Sequence, residues 1–145
     1  GKDEVGYAMR ERLLPLATIA TPNLPEARIL AELPDGSADE CAEKLLPFCR
    51  HLLITGGHGD EHEVHNRLYS RDGSRHTFTC HRLPGSYHGS GCTLASTLAG
   101  RLAIGEELVS AVQTALNYTW RTLRDAEQLG QGQFVPRRLP LDFCS

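Results

Sequence analysis

A glycine-rich stretch at residues 84–93, followed by a run of small and apolar residues, constrains this chain more than any other feature. Gly85, Gly89 and Gly91 fall within seven residues and allow backbone conformations that side chains forbid, so several N–H groups can point into one concavity. The run that follows predicts a helix, whose first N–H groups and dipole favour negative charge. We therefore predict an anion site at this junction, with phosphate as the expected anion.

Cys92 lies in the first turn of that predicted helix, where the helix dipole favours a thiolate and lowers the pKa of the thiol. A polyphosphate bound nearby would raise this pKa again. Cys92 is therefore a candidate acid/base group or nucleophile. Two plainer interpretations remain open. The glycines can serve only a tight connection from strand to helix, and a cysteine is more often a small, buried apolar residue.

The composition is that of one soluble globular domain, and it excludes some functional classes. The chain has 145 residues, of which 40% are hydrophobic and 23% charged, with a formal net charge of -3. This mild acidity, without a basic stripe, argues against a nucleic-acid-binding protein. The sequence shows no signal peptide and no apolar run long enough to span a bilayer, so no membrane partner is expected.

Five cysteines, at positions 41, 49, 80, 92 and 144, bear on the redox setting. Their odd number and scattered spacing, without a C-x-x-C pair, predict neither a disulfide framework nor a zinc site. A reducing, cytoplasmic location is therefore expected. The chain begins at Gly1 and has its only methionine at Met9, so we expect a fragment, a processed chain, or a chain that continues upstream.

Hydrophobic periodicity and turn residues predict alternating helices and strands. Helices are expected at residues 3–14, 24–32 and 38–46, from the glycine-rich stretch to Gly105, and at 106–128; strands are expected at 17–20, 51–55, 64–69 and 75–82. Ser37 and Glu40 form a capping-box pattern, and Asp72-Gly73 is a hairpin signal. Trp120 is expected to pack beneath the last helix. This order predicts an α/β sandwich with a largely parallel sheet and no domain boundary.

Polar residues and glycines follow two of the predicted strands. Asn23 and Glu26 come after the strand at 17–20, and Gly56 and Gly57 follow Thr55 at the end of the next strand as a second glycine loop. Ligands of open α/β sheets bind at the carboxyl ends of the strands, so we expect these residues and the glycine-rich stretch on one edge. A carboxylate such as Glu26 can hold hydrated Mg²⁺ beside a polyphosphate. The alternative is that Asn23 and Glu26 only cap the helix.

Several other catalytic motifs do not fit the sequence. No lysine follows the glycines as in a Walker A motif, and the third glycine of the dinucleotide fingerprint is missing. Ser90 lacks the Gly-x-Ser-x-Gly setting of a serine hydrolase. His58, His62 and His65 stand among acidic residues and could bind a transition metal. Their spacing is one residue short of the zinc-protease signature, and a solvated loop is the simpler interpretation.

Three motifs, in order and spacing, resemble the hydroxymethylpyrimidine/phosphomethylpyrimidine kinases of thiamin biosynthesis, members of the ribokinase-like superfamily. They are TPNLPEA at residues 21–27, GGH at 56–58 and HGSGCTL at 88–94. The last is the most specific, because most ribokinase relatives carry Asp at the position of Cys92. The resemblance implies a ribokinase-like three-layer α/β/α sandwich with a mostly parallel central sheet. It further implies that residues 1–145 are the C-terminal, nucleotide-binding and catalytic part, without the N-terminal substrate-binding half.

The resemblance implies ATP- and Mg²⁺-dependent phosphorylation of 4-amino-5-hydroxymethyl-2-methylpyrimidine on its hydroxymethyl group, followed by a second phosphorylation to the diphosphate. It implies an anion hole for the transferring phosphoryl group, formed by Gly89, Ser90, Gly91 and the N–H of Cys92. The Cys92 side chain would accept the proton of the substrate hydroxyl. Asn23 and Glu26 would organise phosphate and Mg²⁺, the metal being held through water. Thr55 and Gly57 would lie along the nucleotide.

The chain departs from the family in two respects. Many members carry Lys at the position of Thr55, and the pyrimidine-binding residues of the family lie largely in an N-terminal half that nothing in this chain matches. Small ribokinase-like kinases commonly dimerise, so the resemblance also implies a homodimer. Two other interpretations remain open: a related kinase such as a pyridoxal kinase, which shares the glycine loop and the Asn-x-x-Glu element, and a non-catalytic nucleotide-binding module.

Overall fold

The computed structural model describes residues 19–58, 62–82, 90–131 and 144. These residues belong to two compact units. The first unit contains residues 19–58 and 64–78, and the second contains residues 62–63, 79–82, 90–131 and 144. The predicted helix at residues 3–14 lies outside the described residues.

The described residues form strands and helices close to those predicted. In chain order they are β1 (Ile19–Ala20), α1 (Leu24–Ala31), α2 (Ala38–Leu45), a short 3-10 helix (Leu46–Phe48), β2 (His51–His58), β3 (Glu63–Ser70), β4 (Arg75–His81), α3 (Ser90–Ala103) and α4 (Leu108–Gln131). Most boundaries differ from the prediction by a few residues. The largest difference among the predicted site residues is at β2, which continues to His58, whereas a glycine loop was predicted after Thr55. None of the described helices is long and apolar enough to cross a bilayer.

The strands form a four-stranded sheet in the order β1-β2-β3-β4. β1 runs parallel to β2, with Ile19 opposite His51. β2 and β3 are antiparallel, with Leu53 opposite Leu68. The described part of the sheet is therefore mixed. The predicted parallel pairing is found between β1 and β2, and the hairpin strands add antiparallel pairing.

The turn between β3 and β4 confirms the hairpin that Asp72-Gly73 predicted. Gly73 has a φ of +95°, in the left-handed region that favours glycine. Its N–H donates to the carbonyl of Ser70 at 2.9 Å. Asp72 Oδ1 accepts from the N–H of Ser74 at 2.9 Å, and the hydrogen bonds from Ser74 lower the pKa of the Asp72 carboxyl. These contacts reverse the chain between the two strands.

Both helices of the first unit begin with a capping box. At α2, Ser37 Oγ accepts from the N–H of Glu40 at 3.1 Å, and Glu40 Oε1 accepts from the N–H of Ser37 at 3.0 Å, as predicted. The hydrogen bonds from Ser37 lower the pKa of the Glu40 carboxyl. Asn23 and Glu26 form the same arrangement at the start of α1. In each helix, side chains thus satisfy the N–H of the cap residue and the N–H of the third helical residue.

The core of the first unit lies where α1 and α2 pack against each other and against β2. Its buried side chains come from these three elements, from β3 and, at Cys49, from the segment just before β2: Leu24, Ala27, Leu30, Ala31, Ala38, Cys41, Ala42, Leu45, Cys49, Leu52, Ile54 and Tyr69. The Tyr69 hydroxyl donates to Asp39 Oδ1 at 2.6 Å and so ties β3 to α2. Burial, together with this hydrogen bond, raises the pKa of the Tyr69 phenol.

In the second unit, α3 packs against α4. The buried side chains include Leu94 and Leu98 on α3, and Val112, Ala115, Leu116 and Thr119 on α4, at spacings typical of one helix face. Trp120 is half-buried, and its indole N–H donates to the carbonyl of His81 at 2.8 Å. Trp120 therefore links α4 to the end of β4.

One prediction about the cysteines is wrong. Cys80 in β4 forms a disulfide with Cys144, although 64 residues separate them. Both residues are buried, and they form an isolated antiparallel bridge. The spacing along the chain did not predict this pair because it does not show which distant residues the fold brings together. Cys41 and Cys49 are free and buried in the first unit.

Candidate functional site

The end of β1 and the start of α1 lie beside β2, and this brings predicted site residues together. The N–H of Thr55 donates to the carbonyl of Pro22 at 3.0 Å, and Asn23 forms an isolated parallel bridge with Thr55. α1 begins at the residue after Asn23. Asn23, Glu26 and Thr55 are therefore neighbours in the first unit, where the parallel pairing of two strands ends. This is the kind of edge at which α/β sheets bind ligands.

The side chains of Asn23 and Glu26 each bind the backbone of the other residue. Asn23 Oδ1 accepts from the N–H of Glu26 at 2.8 Å, and Glu26 Oε1 accepts from the N–H of Asn23 at 3.0 Å. This capping box is the structural role that the sequence pattern also allows. Both residues are exposed. The Glu26 carboxylate therefore stabilises the helix start and stays open to solvent, so its charge remains available to a cation.

Gly56 and Gly57 belong to β2, and a β-bulge explains the first of these glycines. The register between β2 and β3 shifts between Ile54 and Gly57. Gly56 has a φ of +74°, and a Cβ added there would meet nothing within 4 Å. Backbone conformation, and not lack of space, therefore favours glycine at this position. The predicted glycine loop is thus, at least through His58, the irregular end of a strand.

Asn66, which was not among the predicted site residues, stabilises this bulge. Its side chain is 0% exposed, and its Oδ1 accepts from the N–H of Gly56 at 2.9 Å. The bond satisfies an N–H that the bulge removes from the strand pairing. A signal was present in the sequence, because Asn66 and Leu68 lie on one face of β3. A polar residue at an inward-facing position indicates a buried hydrogen bond.

The remaining predicted site residues lie in the second unit. Ser90, Gly91 and Cys92 form the first turn of α3, so the predicted position of Cys92 at a helix start is confirmed. Their side chains lie outside the described part of the chain, as does Gly89. The first N–H groups of a helix have no partner within it, and they carry the positive end of the dipole. The start of α3 can therefore attract an anion, whereas the roles assigned to these residues stay predictions.

Metal binding by protein side chains alone is not supported in the described part of the chain. Within residues 19–58, 62–82, 90–131 and 144, no group of three His, Cys, Asp or Glu side chains could hold a metal ion. His65 Nδ1 lies 3.4 Å from the guanidinium of Arg67, and the His58 side chain is outside this part. Mg²⁺ needs fewer protein ligands, because it keeps several waters and is held by one or two carboxylates together with phosphate oxygens. An exposed carboxylate such as that of Glu26 meets this requirement.

Comparison with known protein families gives a match over most of the chain. A family model described as phosphomethylpyrimidine kinase matches residues 1–137. The hydroxymethylpyrimidine/phosphomethylpyrimidine kinase of Synechococcus elongatus is 37% identical over 133 residues, which cover 86% of this chain and 49% of that protein. The thiamine biosynthesis bifunctional protein ThiED of Geobacter sulfurreducens is 40% identical, over 86% of this chain and 26% of that protein. The chain spans about half the length of the Synechococcus relative.

Solved structures share the fold. The pyridoxal kinase of Staphylococcus aureus, in complex with AMP-PCP, matches with a TM-score of 0.69 at 30% identity, over 81% of this chain and 45% of that one. The neighbours of this chain are ribokinase-like kinases, so the predicted fold class is confirmed. The chain corresponds to part of that fold.

We expect Gly56→Ala to lower the free energy of unfolding by about 1–2 kcal/mol, because a side chain at a φ of +74° is strained. Gly100→Ala is the matched control. Gly100 lies inside α3 and also has nothing within 4 Å of an added Cβ, but it has no positive φ. Alanine there should raise the free energy of unfolding by about 0.5–1 kcal/mol. Chemical denaturation measures both changes. An unchanged stability of Gly56→Ala would contradict the expected strain of alanine at this bulge.

Proposed function

The chain belongs to the phosphomethylpyrimidine kinase family, and from this premise we propose that it is the nucleotide-binding and catalytic part of a pyrimidine kinase. The enzyme uses ATP to phosphorylate 4-amino-5-hydroxymethyl-2-methylpyrimidine and then its monophosphate. The family match over residues 1–137, which contains all three motifs, carries this proposal. Residues 1–145 then form the C-terminal part of one ribokinase-like domain. Following the family, we also propose a homodimer in the cytoplasm.

In the first unit, Glu26 would hold Mg²⁺ through water, and Asn23 would keep Glu26 in place through the capping box. Thr55 and Gly57 would lie along the nucleotide. The support is the pairing of Asn23 with Thr55, which puts the carboxylate-bearing helix start next to the strand of the proposed nucleotide contacts. Thr55 carries no positive charge, so Mg²⁺ and backbone N–H groups would neutralise more of the phosphate charge than in relatives with Lys.

In the second unit, the start of α3 would bind the transferring phosphoryl group. The proposed donors are Gly89, Ser90, Gly91 and the N–H of Cys92. The Cys92 side chain would accept the proton of the substrate hydroxyl, and the position of Cys92 in the first turn of α3 supports this role. Phosphoryl transfer needs chiefly positioning and neutralisation of oxygen charge, which backbone donors provide. ATP and Mg²⁺, when bound, supply the phosphoryl group and the neutralising cation.

A second candidate function is phosphorylation of pyridoxal. The pyridoxal kinase of Staphylococcus aureus has a similar fold and is 30% identical to this chain. The curated relatives at 37% and 40% identity carry names from thiamin biosynthesis, which favours the pyrimidine. A substrate panel that contains both compounds separates the two candidates.

The two capping boxes allow the role of Glu26 to be tested without removing a helix cap. In Glu26→Gln the side-chain oxygen can still accept from the N–H of Asn23, but the charge proposed to hold Mg²⁺ is lost. We expect AMP-PCP to bind about tenfold more weakly in the presence of Mg²⁺, as measured by isothermal titration calorimetry, because one charge-assisted contact is lost.

Glu40→Gln is the matched control, because Glu40 occupies the same place in the capping box of α2. It should leave AMP-PCP binding unchanged. Chelation of Mg²⁺ should also abolish the difference between Glu26→Gln and the parent chain. Equal affinities of the parent and Glu26→Gln in the presence of Mg²⁺ would remove the metal assignment.

The role of Cys92 can be tested in a hybrid enzyme, in which this chain replaces the half of the Synechococcus relative that it matches. A positioned general base contributes about 10²–10⁴-fold to the rate. We therefore expect Cys92→Ala to lower pyrimidine turnover by at least about 10²-fold while AMP-PCP binding persists. Ser96→Ala, at an exposed position on the same helix, should retain turnover. Near-normal turnover of Cys92→Ala would exclude Cys92 as the base.

A further inference from the structure

The second unit contains a cysteine pair that the proposed kinase function does not use. Cys80 and Cys144 form a disulfide, and both are buried. Their backbones pair in an isolated antiparallel bridge, which sets the two residues opposite each other. The proximity of the two sulfur atoms therefore follows from the backbone arrangement as well as from the bond itself.

Asn117 on α4 binds the backbone of Cys144 on both sides. Its Oδ1 accepts from the Cys144 N–H at 2.8 Å, and its Nδ2 donates to the Cys144 carbonyl at 3.2 Å. Gln113 Nε2 donates to the same carbonyl at 3.3 Å. Asn117 is itself buried. The Asn117 carboxamide thus pairs with the backbone of Cys144 much as a neighbouring strand would. We call Asn117 and Gln113 together the Cys144 dock.

The Cys144 dock binds backbone atoms and not sulfur, so its hydrogen bonds do not require the disulfide. It can hold Cys144 opposite Cys80 when both residues are thiols. Two thiols held together in this way oxidise to each other in preference to other partners, because the reaction is intramolecular. The fold therefore prepares this pair for disulfide formation.

The free cysteines of the first unit offer a contrast. Cys41 and Cys49 are buried, and burial raises the pKa of both thiols. Neither residue is paired with a second cysteine. Reversible oxidation is therefore expected at the Cys80–Cys144 pair and not at these two.

Cys80 lies on β4, the strand that precedes the glycine-rich stretch. After Cys80 the chain continues through His81, whose carbonyl accepts from Trp120, and through Arg82, whose N–H donates to the carbonyl of His62 at 2.8 Å. These are non-covalent contacts. The disulfide adds a covalent anchor at the same strand end, so the redox state of the pair sets how firmly this end is held.

We propose that Cys80 and Cys144 are a reversible redox site that reacts with low-molecular-weight disulfides of the glutathione disulfide class. Because both sulfur atoms are buried, exchange begins when Cys144 leaves its dock, a local opening of the kind that native proteins undergo. The site goes beyond the proposed kinase function and does not depend on it.

The chemistry is two thiol–disulfide exchanges. One cysteine, as a thiolate, attacks a sulfur of glutathione disulfide, forms a mixed disulfide and releases one glutathione thiolate. The second cysteine then attacks the protein sulfur of the mixed disulfide, forms the Cys80–Cys144 bond and releases the second glutathione thiolate. The two protons lost by the protein thiols protonate the two glutathiones. Two protein thiols are thus oxidised, and one glutathione disulfide is reduced to two glutathiones.

The first test equilibrates the chain in buffers of varied glutathione to glutathione disulfide ratio, followed by acid quench, alkylation in denaturant and mass spectrometry. We expect one transition in which two fewer thiols are alkylated, and peptide mapping should join Cys80 to Cys144. Cys144→Ser should show no such transition, although its dock contacts remain possible. Complete alkylation of both residues at every ratio, or stable pairing of Cys80 with another cysteine, would overturn the proposal.

The second test measures how fast dithiothreitol reduces the pair, with the fluorescence of Trp120, the only tryptophan, as the signal. Each dock hydrogen bond contributes about 1 kcal/mol, so Asn117→Leu, which loses two, should be reduced about 30-fold faster. Gln113→Leu is a milder variant that loses one and should be reduced about fivefold faster. Thr122→Ala, at an exposed position on α4, is the control and should match the parent.

Circular dichroism before reduction verifies that each variant is folded. Reduction of both dock variants at the rate of the parent would show that opening of the dock does not limit the exchange, and it would overturn this part of the proposal. Neither test uses nucleotide or pyrimidine. A failure here therefore leaves the kinase assignment untouched, and a failure of the kinase assignment leaves the redox site untouched.

Discussion

The hydrogen bond from the Thr55 N–H to the Pro22 carbonyl is the contact on which the candidate site of the first unit depends. β1 is only two residues long. This hydrogen bond and the Asn23–Thr55 bridge extend the parallel pairing with β2 beyond the end of β1. The extended pairing fixes where α1 begins. Since α1 starts at a residue held beside β2, the first turn of this helix and the end of the strand present their polar groups together.

The same capping box serves structure and, in our proposal, function. The Asn23 and Glu26 side chains satisfy backbone N–H groups, which is reason enough for these residues at a helix start. The cap also fixes the backbone that carries the Glu26 charge while the carboxylate stays exposed. The capping and metal-binding interpretations are therefore compatible. In the matching box of α2, Glu40 has the place that Glu26 has in α1.

Local patterns predicted the local structure well. Ser37 with Glu40, and Asp72 with Gly73, identified a helix start and a hairpin because each pattern acts within a few residues. The placement of Cys92 at a helix start followed from the glycines and the small-residue run. The parallel pairing that puts Asn23 beside Thr55 was also expected, because ligand-binding residues of α/β sheets follow neighbouring strands. Two other non-local contacts were not predicted. The bond from Gly56 to Asn66 and the Cys80–Cys144 disulfide join distant residues, so neither spacing nor periodicity shows them.

We propose that this chain supplies the catalytic half of a pyrimidine kinase. The most direct measurement uses the hybrid with the unmatched half of the Synechococcus relative, incubated with 4-amino-5-hydroxymethyl-2-methylpyrimidine and MgATP. Mass spectrometry of the pyrimidine should show the addition of one phosphate and then of a second. A folded hybrid that binds both the pyrimidine and AMP-PCP but forms neither product would contradict this proposal and would indicate a non-catalytic nucleotide-binding module.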